Sequence, residues 1–138
     1  MYVRERMSTT PLTIAADVDL NTALLLLQER AFRRLPVTDT IGRILGVVTE
    51  RDLLLAASHY LNSPVDISSI MTCHVVTTTP DTALAQAAML MATNKIGGLP
   101  VVDNEQRVVG IITESDIFRA FVEMLGADAD ARSFSVGA

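Results

Sequence analysis

Leu35-Pro36-Val37-Thr38-Asp39, followed by Gly46-Val47-Val48-Thr49-Glu50-Arg51-Asp52, is answered later in the chain by Leu99-Pro100-Val101-Val102-Asp103 and Gly110-Ile111-Ile112-Thr113-Glu114-Ser115-Asp116. The two stretches are offset by 64 positions. The same offset carries Met7 to Met71, Thr13 to Thr77, Asp17 to Asp81 and Leu20 to Leu84. No gap is needed between residues 7–56 and 71–120. A chance match would not hold Pro, Gly and acidic positions in one register, so the chain is an internal duplication.

Each copy predicts the same elements. A short β-branched strand comes first, at 12–14 and 75–79. Asp17 and Asp81 are placed to start a helix, because a carboxylate accepts from the free N–H groups there. The helices are expected over 22–30 and 82–94; in the second, Leu84, Ala87, Ala88 and Met91 recur at three- and four-residue steps and give one apolar face. The Leu-Pro-Val strand follows, its Pro pointing to an edge or a strand start. Turns at 39–42 and 103–106 lead into strands 44–48 and 108–112. Closing helices run over 50–58 and 114–124. The expected fold class is therefore α/β, two β-α-β-β-α repeats packed with pseudo-twofold symmetry, because one half alone has too little sequence for a core. The first repeat with its N-terminal segment takes residues 1–61, a polar linker hinged at Asn62-Ser63-Pro64 takes 62–69, the second repeat takes 70–125, and 126–138 is a small, polar, frayed tail.

Composition narrows the function. Of 138 residues, 49% are apolar but only 4% aromatic, so the core is aliphatic and some apolar surface is left for a partner chain. No run approaches the roughly 18 apolar residues of a membrane span, and the N-terminus lacks the apolar stretch of a secretory signal. Cys73 is the only cysteine, which excludes an intrachain disulfide and fits a reducing, cytoplasmic setting. A net charge of −5 argues against nucleic acid as partner. Cys73-His74, with His59 the only other histidine, falls short of the four ligands of a structural zinc site. Met89 and Met91 read as core or interface fillers. There is no Gly-rich phosphate loop, metal cluster or nucleophile motif, so the reading is non-catalytic and requires no cofactor.

The opening Met-Ser/Thr, the Leu-Pro-Val strand and the Gly-hydrophobic-hydrophobic-Thr-x-x-Asp stretch, twice over and in register, resemble a tandem pair of CBS domains, the cystathionine β-synthase type of regulatory module. The resemblance covers about residues 7–120. It implies a disc-like unit with two pseudosymmetric clefts that take AMP, ADP, ATP or S-adenosylmethionine as a regulatory ligand. It further implies that Asp52 and Asp116 hold ribose hydroxyls, and that Thr49, Thr113 and Ser115 with nearby basic residues meet phosphate. Ile14, Val76, Thr77 and Thr79, in the first strands, would hold the nucleoside. Each cleft would mix the Thr-x-x-Asp motif of one repeat with the first strand and Leu-Pro approach of the other.

On that crossed arrangement the two clefts differ. Before Leu-Pro the first repeat has Arg33-Arg34 and the second Gly97-Gly98. Asp116 and Thr113 would face two cations, suited to a phosphorylated ligand; Asp52 and Thr49 would face two glycines, with Gly98 offering room and a backbone N–H but no cation. Ala15, where the other repeat has Thr79, removes a hydroxyl from the Asp116 cleft. Plainer readings stand beside these. Thr-x-x-Asp opening a helix is also a capping-box pattern, compatible with an anion site at the same N-terminus, and Arg33-Arg34 is also what a solvated basic turn looks like. The main alternative function is a structural homodimerisation or protein-interaction module with empty clefts. In the leading one, a nucleotide shifts the geometry or assembly of a homodimer, or of a complex with a separate effector protein.

Overall fold

The structure, a computed structural model, describes residues 1–30, 33–59 and 65–126. The first half folds as β1 (Ile14–Ala15), α1 (Leu20–Arg30), β2 (Arg34–Thr38), β3 (Ile44–Thr49) and α2 (Glu50–His59). The second folds as α3 (Leu84–Asn94), β4 (Gly98–Val102), β5 (Val108–Thr113) and α4 (Glu114–Met124). The class is α/β and the architecture is doubled, as the repeat predicts. β2 and β4 each pair antiparallel with the following strand, and both hairpins shift register at the same place, between Val37 and Thr38 and between Val101 and Val102. β1 lies parallel to β2 but reaches only Val37 and Thr38. Pro36, with no N–H to give, thus sits where β2 has one neighbour.

Two local expectations are corrected. The opening strand of the second repeat is reduced to a single parallel bridge, Thr78 to Val101, because Thr79 turns its N–H to the Thr82 hydroxyl at 3.3 Å and leaves the ladder. The helices start at residues 20 and 84, beyond the reach of Asp17 and Asp81. Asp19 accepts from the Thr22 N–H at 2.7 Å in their place, α3 follows Ala83 with no side-chain cap, and Asp81 instead pairs with Arg4.

Apolar residues at helical spacing (Leu20, Ala23 and Leu27 on α1; Leu84, Ala87 and Met91 on α3) close over the sheets to make two cores. Neither core is made by its own half alone. Val3 is wholly buried in the second core with Met7 against it, while Ile67, with Ile70 and Met71, fills the first. Val3–Glu5 and Ile67–Ser69 are matching 3-10 turns. Each is tied to the other half by backbone bonds: Val3 N–H to Thr82 at 2.9 Å, and Ile67 N–H to Val18 at 3.0 Å. Residues 65–69, expected as the end of a linker, are therefore folded against the first half; Asn62-Ser63-Pro64 and the tail from 127 lie outside the described residues.

The exchange explains a motif glycine. A Cβ on Gly110 would fall 2.6 Å from the Ser8 carbonyl oxygen, and one on Gly46 would fall 2.8 Å from that of Thr72. The crossing backbone bonds there, Ser8 N–H to Ile111 at 2.9 Å and Val47 N–H to Thr72 at 3.0 Å, leave no room for a side chain. At the far end the hairpin turns meet as counterparts. Arg43 bridges Arg107, with Ile44 N–H to Gln106 at 2.8 Å and Val108 N–H to Gly42 at 2.9 Å. Among the described residues no helix is long and apolar enough to cross a membrane.

Candidate functional site

The N-terminal crossing segment, the approach to β2 and the start of α4 enclose a cleft of about 660 Å³. Arg33 and Arg34 line it from the first half, Thr113 and Ser115 from the second. Of the residues that the crossed arrangement groups (Asp116, Thr113, Arg33 and Arg34), Thr113 and both arginines line this cleft, with Ser115 beside them, and Asp116 does not. Ser8, Thr10, Pro11 and Leu12 form another wall, with Gly97, Ile111, Glu114 and Phe118 completing the lining. The N-terminus of α4, the positive end of its dipole, is thus at the cleft wall beside two arginines.

Asp116 stands just behind that wall, 8% exposed. Its Oδ2 accepts from the Thr113 N–H at 2.8 Å and hydroxyl at 3.0 Å, and its Oδ1 accepts from Arg119 at 2.7 Å. In the first half Thr49 and Asp52 exchange backbone-to-side-chain bonds at 3.2 and 3.1 Å, a reciprocal capping box. Both motifs therefore do helix-start work in the chain alone.

Arg34 is half-buried and lies across the opposite strand. Its guanidinium donates to the Gly98 carbonyl at 3.2 Å, and Cβ atoms on Gly97 and Gly98 would meet its side chain at 2.8 and 3.3 Å. The space expected to be open over the glycines is filled by this cation, because β2 and β4 approach as counterparts and residue 34 faces residue 98. Burial pushes the Arg34 guanidinium below its ordinary value; Glu114 opposes the shift and Arg33 adds to it. A cation partly stripped of water is the kind of group that a bound anion relieves.

The other expected residues lie elsewhere. Ile14 is buried in the first core and Val76 packs against the second. Thr77 is half-buried. Thr79 bonds the Thr82 hydroxyl at 2.8 Å, and Asp116, Thr49, Asp52, Gly98 and these four lie outside the lining of the 660 Å³ cleft. Ser8, Thr10, Leu12, Glu114 and Phe118 are cleft residues that the sequence reading missed. Ser8 had a signal in the recurring Met-Ser/Thr opening and Glu114 one in Thr-Glu-x-Asp, but exposed Phe118 had none. Among the described residues no three His, Cys, Asp or Glu gather as metal ligands.

The CBS domain model matches twice, at residues 3–59 and 67–123. The chain belongs to the CBS domain family. It is 35% identical over 136 residues to a CBS domain-containing protein of Dictyostelium discoideum, covering 91% of this chain and 94% of that one. It is 33% identical to L-aspartate semialdehyde sulfurtransferase of Methanocaldococcus jannaschii, but spans only 23% of that enzyme. The CBS domain pair of protein MJ0100, solved with 5′-methylthioadenosine and S-adenosyl-L-methionine, superposes with TM-score 0.82 at 32% identity, over 90% of this chain and 98% of that one. CBSX2 in complex with AMP superposes at 0.79 and 28% identity, over 89% and 97%.

Proposed function

We propose that this CBS pair is a non-catalytic regulatory module that takes a phosphorylated adenosine compound in the cleft between Arg33-Arg34 and the start of α4. The observation that carries the reading is the convergence of two arginines, Thr113 and Ser115 from opposite halves on one cavity of about 660 Å³, within the usual range for a small-ligand site. The adenosine ligands held by MJ0100 and CBSX2 support the class of ligand. The arginines favour a phosphate among those ligands, through charge-assisted bonds. Asp116 retains lone pairs beyond its bonds to Thr113 and Arg119, and in this reading one accepts from a ribose hydroxyl. Regulation then requires that the ligand favour one arrangement of the module over another.

The assembly we infer is a homodimer through the helical faces, in a cytoplasmic setting and acting on a separate effector protein. Leu25 and Leu54 on the first half, and their counterparts Met89 and Phe118 on the second, are all exposed. Apolar residues repeated on two pseudosymmetric faces suit an isologous contact. That surface also supports a second reading, a dimerisation module whose clefts stay empty. Calorimetry of the full chain with AMP, ATP and S-adenosylmethionine decides between them. The proposed function predicts binding that Asp116→Ala weakens at least tenfold, with Asp116→Asn, which keeps an acceptor for the helix start, intermediate. Ligand at 100 times Kd should stabilise the fold by about 2.7 kcal/mol. No heat and no thermal shift with any of the three would leave the empty-cleft reading.

A further inference from the structure

We infer that Glu114 sets which ligand charge the cleft accepts, its carboxylate standing beside Arg34 and repelling a phosphate that approaches that guanidinium. The inference rests on the nucleotide reading of the cleft.

Glu114 is the first residue of α4 and its N–H is bound to the Gly97 carbonyl at 3.0 Å, so its backbone is fixed while its side chain is exposed and free to swing. The Cβ missing from Gly97 marks where that side chain goes. It would lie 2.7 Å from Glu114 Oε1 and 2.8 Å from Arg34 Nη2. Carboxylate and guanidinium thus converge on the space over one glycine, as close neighbours that form no direct ion pair. Glu114 is the carboxylate that opposes the loss of charge on Arg34. The arrangement exists once in the sequence, since Glu50, the counterpart of Glu114, has Gly98 where Glu114 has Arg34.

An incoming phosphate competes for the same face of Arg34 and is repelled by Glu114. The displaced carboxylate has a second place to go. A smaller groove of about 280 Å³ between α3 and α4 is lined by Glu114 and Phe118 as well as by Lys95. Glu114 therefore lines both hollows, with Arg34 also lining the cleft and Lys95 also lining the groove. The cost of repulsion grows with the number of phosphate charges near Glu114 and vanishes for a neutral nucleoside. So the residue selects against polyphosphate and admits ligands of low charge.

The test is calorimetry of the full chain with adenosine, AMP and ATP on wild type, Glu114→Gln and Glu114→Asp, at low and high salt. Glu114→Gln should tighten AMP roughly threefold or more and ATP further, leaving adenosine within about twofold. The gain should shrink at high salt. Glu114→Asp, which keeps the charge, should hold the wild-type order of affinities. Equal changes for all three ligands, or an unchanged ratio of ATP to adenosine affinity, would overturn the inference while leaving the nucleotide site standing. Absence of binding by every ligand to wild type would remove both.

Discussion

Arg34 and Gly98 are the same position of the duplicated sequence, and the Arg34 guanidinium donates to the Gly98 carbonyl at 3.2 Å. The halves touch here at a position where they differ. Duplication by itself would give two equal sites; an arginine on one strand and a glycine pair on the other let one side chain cross over and occupy the middle. The 660 Å³ cleft owes its cations to that asymmetry.

Gly97→Ala is expected to disturb the cleft with little cost to the fold. The added methyl would meet Glu114 Oε1 and Arg34 Nη2 at 2.7 and 2.8 Å, the far ends of flexible side chains that can move away. Urea unfolding should shift by less than about 1 kcal/mol. AMP affinity, measured by calorimetry, should change at least threefold because both charged ends must relocate. A large loss of stability with unchanged affinity would show that these side chains are structural only.

Gly110→Ala should do the reverse. Here the methyl would sit 2.6 Å from a backbone oxygen, that of Ser8, with the Met7 sulfur 2.9 Å away. Backbone held by its own bond to Ile111 cannot give way cheaply, so the crossing N-terminal segment must lift from the second core. The expected cost is about 1–3 kcal/mol. Hydrogen exchange should show the loss in α3, β4 and the Val3–Glu5 turn ahead of the first half. Equal exposure of both halves would mean that the crossing segment does not serve the second core in particular.

Much of this was legible in the sequence. The offset of 64 carries the doubling, and of the residues that the crossed arrangement groups, Thr113, Arg33 and Arg34 line one cleft while Asp116 lies outside its lining. Three things were not legible, each for a physical reason. The exchange of Val3 and Ile67 between cores depends on the path of the crossing segments, and no local pattern records it. The helix starts were misassigned to Asp17 and Asp81 because Asp is a good cap at several nearby positions; only the structure shows that Asp19 bonds the Thr22 N–H. Ile14 reads as strand, but which face of a two-residue strand meets the core needs the neighbouring helix.

The acid limb of stability should carry a signature of Asp103. Its Oδ1 accepts from the N–H groups of Glu105 and Arg107 at 2.8 and 3.0 Å, and Oδ2 pairs with Arg107 Nε at 2.9 Å. The backbone bond from Arg107 foremost, against an opposing effect of burial, holds the carboxyl below its ordinary value. A carboxyl depressed in the folded state stabilises above its unfolded pKa of roughly 3.9 and loses that contribution as pH falls through the lower folded value. Asp103→Asn should therefore lower the urea midpoint at pH 7 and flatten its decline as pH falls below the unfolded value of roughly 3.9. A parallel decline in variant and wild type would show that the turn carboxylate is not linked to folding.

The same turn holds a test of backbone strain that the duplication makes internal. Gly42 and Gln106 are counterparts, and both have positive φ, 88° and 65°. The left-handed region is open to glycine and costs a side-chain-bearing residue about 1–2 kcal/mol, while glycine gives back part of that through its looser unfolded state. Gln106→Gly should thus stabilise the chain by roughly 0.5–1 kcal/mol, and Gly42→Ala should destabilise it by about 1 kcal/mol or more. The bonds at this turn give no reason for the opposite result. Gln106 donates its N–H to the Asp103 carbonyl at 3.0 Å and accepts from the Ile44 N–H at 2.8 Å, both through backbone atoms that glycine keeps. Thermal unfolding of the two single variants and the double mutant checks the pair. Opposite signs that add in the double mutant are the expected result; destabilisation by Gln106→Gly would mean that the glutamine side chain, and not its backbone, holds the two hairpins together.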